Sequence, residues 1–289
     1  MRGFGLLIIL GFTANVVANV LAQSIPETVY PPPEPAMFDE EQALGSGIDV
    51  NFESRYVSDN IWRGIERFDD DGQKEDYANI QLLGKVALDL GKLPHPFIDL
   101  HLNLAEDDPE STLQEIRPTV GFDWTIRPLV ISAGATGYIF PERDDIDTGE
   151  VFLAFSLDDS GIFKQEQPVL SPYVFGSYDY DEYDGVYIEA GFRHRIPIEE
   201  TDLTLELHAN VAYVNGLGLL FSDNEDDDSG FHHYQVGMTA IYQLNNTLNI
   251  SERYGLWSIV GYINYNDGID NDLNATTQLW GGAGIRLDF

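Results

Sequence analysis

The sequence predicts an all-β chain closed into a transmembrane, antiparallel, up-and-down β-barrel of about twelve strands, with both termini periplasmic. Three observations point there. Apolar and polar residues alternate with period two over most of the chain, short connections alternate with long acidic ones, and the polar face carries ionised residues on most strands.

The elements follow in order. Met1-Arg2, an apolar run from Phe4 to Val17 and then Val20-Leu21-Ala22 make the positive start, short apolar centre and small-residue end of a secretory signal peptide spanning 1–22. Gly11, Thr13 and Asn15 interrupt the run, which falls short of the ~20 apolar residues a spanning helix needs. Residues 23–46 hold Pro26, Pro31, Pro32, Pro33 and Pro35 among several acids, a composition that favours an extended periplasmic linker. No later stretch could span a bilayer as a helix, so a membrane protein here must be a closed barrel, expected over 47–289. A soluble secreted protein is the rival.

Strands are expected near Ile48 to Ser58, Tyr77 to Leu90, Phe97 to Ala105, Glu115 to Ile126, Leu129 to Phe140 and Glu150 to Asp158. Six more fall near Val169 to Tyr178, Val186 to Ile196, Leu203 to Tyr213, Phe231 to Gln243, Leu256 to Tyr265 and Thr276 to Phe289. The fourth is the clearest: Ile116, Val120, Phe122, Trp124 and Ile126 share one face, and Glu115, Arg117, Thr119, Asp123 and Thr125 the other. Leu203 to Tyr213 repeats the design. Pro118 and Pro172 sit inside assigned strands, where a missing N–H weakens the ladder, and the connection Asp159 to Pro168 is longer than the rhythm predicts.

Period alone does not say which face meets lipid. Ionised residues on the polar face suit a wet lumen wall, and the pore-lining candidates are Glu53, Arg55, Lys85, Asp99, Glu115, Arg117, Asp123, Glu150, Glu189, Arg193, Arg195, Glu206 and Arg286. Tyr56, Phe97, Trp124, Tyr138, Phe140, Tyr178, Tyr213, Tyr234, Trp257 and Trp280 gather at strand ends, as interfacial girdles do. The last strand puts Thr277, Leu279, Gly281, Ala283, Ile285, Leu287 and Phe289 on one face, and its terminal aromatic resembles the sorting signal read by the outer-membrane assembly machinery. The expected location is the bacterial outer membrane, among its lipids and lipopolysaccharide.

Charge and composition exclude other classes. A formal charge of -34, from 49 acids against 15 bases, repels nucleic-acid phosphates. With no cysteine, an exported fold must rely on a large core or a closed hydrogen-bonded wall.

The stretch Tyr56-Val57-Ser58-Asp59-Asn60-Ile61-Trp62-Arg63-Gly64-Ile65 resembles the opening motif of the TorF-type family of outer-membrane porins, in which Val-Ser-Asp-aromatic runs into Arg-Gly at the end of the first strand. Val57, Ser58, Asp59, Arg63 and Gly64 match. Asn60 replaces the usual aromatic, and Glu66 stands where a small hydroxyl residue is expected. The resemblance implies a barrel with a transport role and carries over no catalytic or ligand residues.

The remaining chemistry is sparse. The six histidines, His95, His101, His194, His208, His232 and His233, are not grouped with partners for metal ligation or a nucleophilic triad. His232-His233 invites a metal, but adjacent strand residues point to opposite faces, so a girdle or loop pair is expected. The clusters Asp69-Asp70-Asp71, Asp223 to Asp228 and Asp267 to Asp272 lack EF-hand spacing and read as solvated faces with at most weak divalent binding. The Asn-X-Ser/Thr triplets at Asn245, Asn249 and Asn274 read as chance. No catalytic, cofactor or metal residue is expected, and the chain is not read as an enzyme.

About twelve strands would enclose a narrow lumen. The expectation is therefore a porin-like channel for passive diffusion of small hydrophilic solutes, mildly cation-favouring through its acidic loops. The alternative is a closed barrel serving structure, adhesion or surface shielding.

Overall fold

The computed structural model describes residues 47–66, 78–105, 113–141, 147–165, 167–216, 229–270, 273 and 275–289. The expected signal peptide and linker lie outside these residues, as do most of the acidic connections.

Twelve strands close into one antiparallel barrel in which each strand pairs with its neighbours. They are β1 (Ile48–Val57), β4 (Asn79–Leu88), β5 (His95–Ala105), β6 (Leu113–Ile126), β7 (Leu129–Tyr138) and β8 (Thr148–Leu157), followed by β9 (Tyr173–Asp179), β10 (Val186–Pro197), β11 (Leu203–Asn215), β12 (Ser229–Gln243), β13 (Leu256–Gly268) and β14 (Gln278–Asp288). β1 closes the circle on β14, with Asn51 opposite Asp288 and Val57 opposite Gly282, so the first strand begins and the last ends at one rim. That rim also carries the two shortest connections, 127–128 and 198–202, and is called the turn rim; the opposite one is the loop rim. Two further strands, β2 (Ile61–Trp62) and β3 (Ile65–Glu66), pair only with each other. They lie where the sequence suggests only a long acidic loop.

Alternation sets the two faces. On the outward register of the twelve strands stand residues such as Phe52, Ile98, Val120, Phe122, Leu153 and Ile259, all exposed, Ile98 to 63%. Asp267 is the one Asp, Glu, Lys or Arg on that register among the described residues; it sits at the loop rim, where the hydroxyls of Tyr234 (2.9 Å), Tyr265 (3.2 Å) and Thr277 (2.7 Å) donate to it. An apolar wall of this extent is stable only against lipid. The inward register carries the charged and most other polar residues, buried aromatics and aliphatics such as Val57, Leu83, Val130 and Val260, and is largely buried.

The two prolines resolve differently. Pro118 lies within β6, and the β6–β7 ladder is interrupted beside it, between Thr119 opposite Thr136 and Ile116 opposite Ile139. Pro172 lies just outside β9, which starts at Tyr173 rather than near Val169. The long connection before it contains a helical turn at Ser160–Phe163 and is clamped by buried Asp159, whose carboxylate accepts from the N–H groups of Val169 (2.6 Å) and Leu170 (2.8 Å).

Two irregularities turn extra side chains inward. Opposite Asn103 and Leu104 the register skips Gln114, so Gln114 and Glu115 are both buried. Opposite Ala212 it skips His232 and His233, and both are fully buried. The expectation that these histidines point to opposite faces fails, because a β-bulge sets two residues against one.

Candidate functional site: a plugged barrel interior

All thirteen sequence-predicted candidates occupy the inward register, and the structure brings most of them into pairs. At the turn-rim end, Lys85 meets Asp123 (2.8 Å), Arg195 meets Glu206 (2.6 Å) and Arg286 meets Glu53 (2.8 Å). Further along, Arg117 pairs with Glu115 (3.0 Å), while Arg55 lies 3.8 Å from Glu53 and donates to Gln81. Tyr262 also donates to Glu53. Glu189 accepts from the hydroxyls of Tyr173 (2.6 Å) and Tyr187 (2.8 Å), and Arg193 lies over the Tyr173 ring at 5.1 Å. Asp99 lines the same interior cavity as Arg117 and Glu150. Counting Arg63, described next, the candidates comprise seven acids and seven bases, and Asp49, Asp179 and Asp288 add three acids to the inward register near the rims. A narrow lumen of low dielectric favours such pairing, because an unpaired buried charge is strongly destabilising.

Sequence reasoning missed the segment that fills this interior. After β1 the chain turns inward, and Ile61, Trp62, Arg63 and Ile65 are all buried. The β2–β3 hairpin pairs Ile61 with Glu66 and Trp62 with Ile65, leaving Arg63-Gly64 as a two-residue loop. Both residues have positive φ (52° and 81°), the combination that a tight hairpin turn of the I′ type requires. A side chain at position 64 would also place a Cβ 2.5 Å from the His233 ring. The Gly64 carbonyl accepts from the Thr276 N–H (2.8 Å) and from Asn266 Nδ2 (3.4 Å). The Arg-Gly pair of the opening motif is thus the tip of a plug.

Around that tip the interior is aromatic. Arg63 donates to Glu150 at 2.8 Å, and its guanidinium carbon lies 4.4 Å from the ring centre of Tyr187, 4.5 Å from Trp62 and 5.6 Å from Phe175. Tyr138 donates to the same Glu150 oxygen at 2.9 Å and meets Trp62 edge-on, with ring centres 5.3 Å apart. His233 stacks on Tyr187 at 6.5 Å, and its Nδ1 shares a hydrogen bond with Nδ1 of His232 at 2.8 Å. Phe97, Tyr138, Phe140 and Trp280 are therefore interior side chains, which corrects their reading as girdle residues; Tyr56, Trp124, Tyr178 and Tyr234 do face outward. A pattern of period two could place these rings on the polar face, but nothing in it says that a loop would return to cover them.

A cavity of about 60 Å³ remains beside Arg63, bordered by Asp99, His101, Arg117, Thr136 and Glu150. It has room for on the order of four waters. Among the described residues no group of three or more His, Asp or Glu side chains could hold a metal ion. The acidic clusters at 69–71 and 223–228 lie outside the described residues.

An apolar outside, a charged inside and complete strand closure define a β-barrel of the outer-membrane type. No family model matches the sequence, and no curated protein matches it. Among solved structures, an outer-membrane channel from Pseudomonas putida F1 shares 9% identity over 84% of this chain and 96% of its own, with a TM-score of 0.47. The KdgM porin in complex with disordered oligogalacturonate shares 7% identity over 83% of this chain and 99% of its own (TM-score 0.44). The translocator domain of the autotransporter NalP from Neisseria meningitidis shares 12% over 87% and 91%, with a TM-score of 0.40. These similarities are to barrels of several kinds; the architecture of this chain stands on its own strand pairing.

Proposed function

We propose that this protein is a porin-like channel of the bacterial outer membrane for small hydrophilic solutes, mildly cation-favouring, and closed at the loop rim by the Arg63-Gly64 hairpin. One observation carries the reading: charged side chains line the interior from rim to rim, yet what fills it is a separate hairpin in the connection between β1 and β4. A barrel whose only task is to be solid could be packed from its wall. Because the ten acids on the inward register of the described strands are largely offset by its six bases and Arg63, most of the net charge of -34 resides elsewhere, and the acidic connections would concentrate cations at the mouth. The resemblance of Val57-Ser58-Asp59 and Arg63-Gly64 to the TorF-type porins supports the same reading.

In this proposal residues 1–22 are the export signal and 23–46 the periplasmic linker. Both termini and the turn rim face the periplasm, and the assembly machinery reads β14. The acidic connections face lipopolysaccharide, where weakly held divalent cations bridge phosphates. No catalytic role is proposed.

The small cavity and the closed ion pairs favour a second reading, a sealed barrel that acts through its acidic surface. Planar-bilayer recordings decide. A variant combining Trp62→Ala with Arg63→Asn should give frequent conductance steps where the unaltered protein gives few, with cations preferred. If purified protein inserts and neither form conducts, the sealed barrel is correct.

A further inference from the structure

We infer that the lumen contains a binding site for guanidinium-bearing cations, filled in this structure by the chain's own Arg63. The inference rests on the channel reading and names the solute class for it.

The surroundings of Arg63 have the composition of a receptor for a planar cation. Three ring faces, Tyr187, Trp62 and Phe175, lie within 4.4–5.6 Å of the guanidinium carbon, and cations are drawn to aromatic faces at such distances, most strongly when water is excluded. Glu150 accepts at 2.8 Å, and its carboxylate is oriented by the Tyr138 hydroxyl bound to the same oxygen. Glu189, fixed by Tyr173 and Tyr187, adds a second buried carboxylate on the same cavity wall.

Two of the three rings and both carboxylates belong to the barrel wall, on β8, β9 and β10; only Trp62 travels with Arg63. Withdrawing the hairpin therefore leaves Glu150, Glu189, Tyr187, Phe175 and Tyr138 in place beside the existing cavity. The wall would be a cation-binding site with its tethered occupant removed. A tethered ligand competes at an effective concentration in the millimolar range or higher, so a free guanidinium compound must be abundant or concentrated by the acidic mouth to displace it. Occupation of the cage by such a solute, with release of the hairpin, couples solute binding to opening.

The test uses the full mature chain, purified in detergent and titrated calorimetrically with methylguanidine and, separately, methylammonium. Arg63→Asn removes the guanidinium and keeps a residue suited to positive φ, so the Asn-Gly turn preserves the hairpin. This variant should bind methylguanidine at least ten-fold more tightly than the unaltered protein and at least ten-fold more tightly than it binds methylammonium. Adding Glu150→Gln should weaken methylguanidine at least ten-fold. If Arg63→Asn does not fold, Arg63→Lys carries the same comparison, because an ammonium does not present the planar fork. A folded variant, judged by heat-modifiable migration, that takes up no methylguanidine overturns the site, and so does indifference to Glu150→Gln. Binding without conductance in bilayers would keep the site and remove the channel; conductance without binding would do the reverse.

Discussion

The two ends of the barrel interior are closed by different means. Towards the turn rim, wall residues pair with wall residues, and the basic partners keep contact with water: the side chains of Lys85, Arg286 and Arg195 are 15%, 21% and 40% exposed. Towards the loop rim, Arg63 and Trp62 come from a hairpin outside the wall and are buried against Glu150, Tyr187 and Phe175. The contrast shows that polarity of the wall does not determine whether the lumen is shut. Pairs whose base still meets water part more readily than one in which both charges are desolvated, as Arg63 and Glu150 are. Closure therefore depends on about one hairpin turn.

The largest break in this contrast should come from Glu150→Ala. It leaves the buried Arg63 charge without its carboxylate, a change that typically costs about 3–5 kcal/mol. The hairpin can escape that penalty by undocking while the barrel stays closed. Amide exchange at Trp62 and Ile65 should accelerate by about a hundred-fold or more, with little change along β11 to β13. Uniform acceleration around the barrel would show instead that Glu150 stabilises the wall.

Gly64→Ala should act in the same direction with a smaller effect. Its Cβ would meet the His233 ring at 2.5 Å in a backbone conformation with φ of 81°, and overpacking and positive-φ strain together cost about 1–3 kcal/mol. Adding His233→Ala removes the clash but not the strain, so the double variant should recover part of the docking. A double variant looser than Gly64→Ala would mean that the His232–His233 pair itself secures the tip.

The matching lesion at the other rim is Asp159→Ala. It removes the acceptor of the Val169 and Leu170 N–H groups, worth about 1 kcal/mol per hydrogen bond. Exchange should rise at those two amides and not at Trp62. Coupling between the rims would appear as a loosened hairpin.

How much of this could be read beforehand follows the same division. All twelve barrel strands and the inward placement of all thirteen charged candidates were legible, because period two and the cost of charge against lipid act residue by residue along one strand. The hairpin was not. Ile61-Trp62-Arg63-Gly64-Ile65 is too short for a periodic signal, and its docking depends on Glu150, Tyr187 and His233, which lie far along the chain. Arg63-Gly64 carried a usable cue, since a residue before glycine between apolar neighbours suits a tight turn, but the acidic residues that follow made the whole segment look like solvated loop. The inward His232-His233 pair was hidden for a related reason: a bulge is set by the partner strand, here by Ala212, and leaves no trace in the alternation of its own.

The smallest effect tests the exposed end most directly. Arg195→Gln removes a base whose side chain is 40% exposed, so the loss of stability should stay within about 1 kcal/mol. The electrical consequence should be clearer than the energetic one. With one base fewer inside, the buried carboxylate of Glu206 loses its charged partner, and local potential there becomes more negative. In the Trp62→Ala, Arg63→Asn background, Arg195→Gln should shift the reversal potential in a salt gradient further toward cation preference, and the shift should shrink as ionic strength rises. An unchanged reversal potential would place the selective region at the loop-rim mouth, and the turn-rim ion pairs would then matter only for folding the wall.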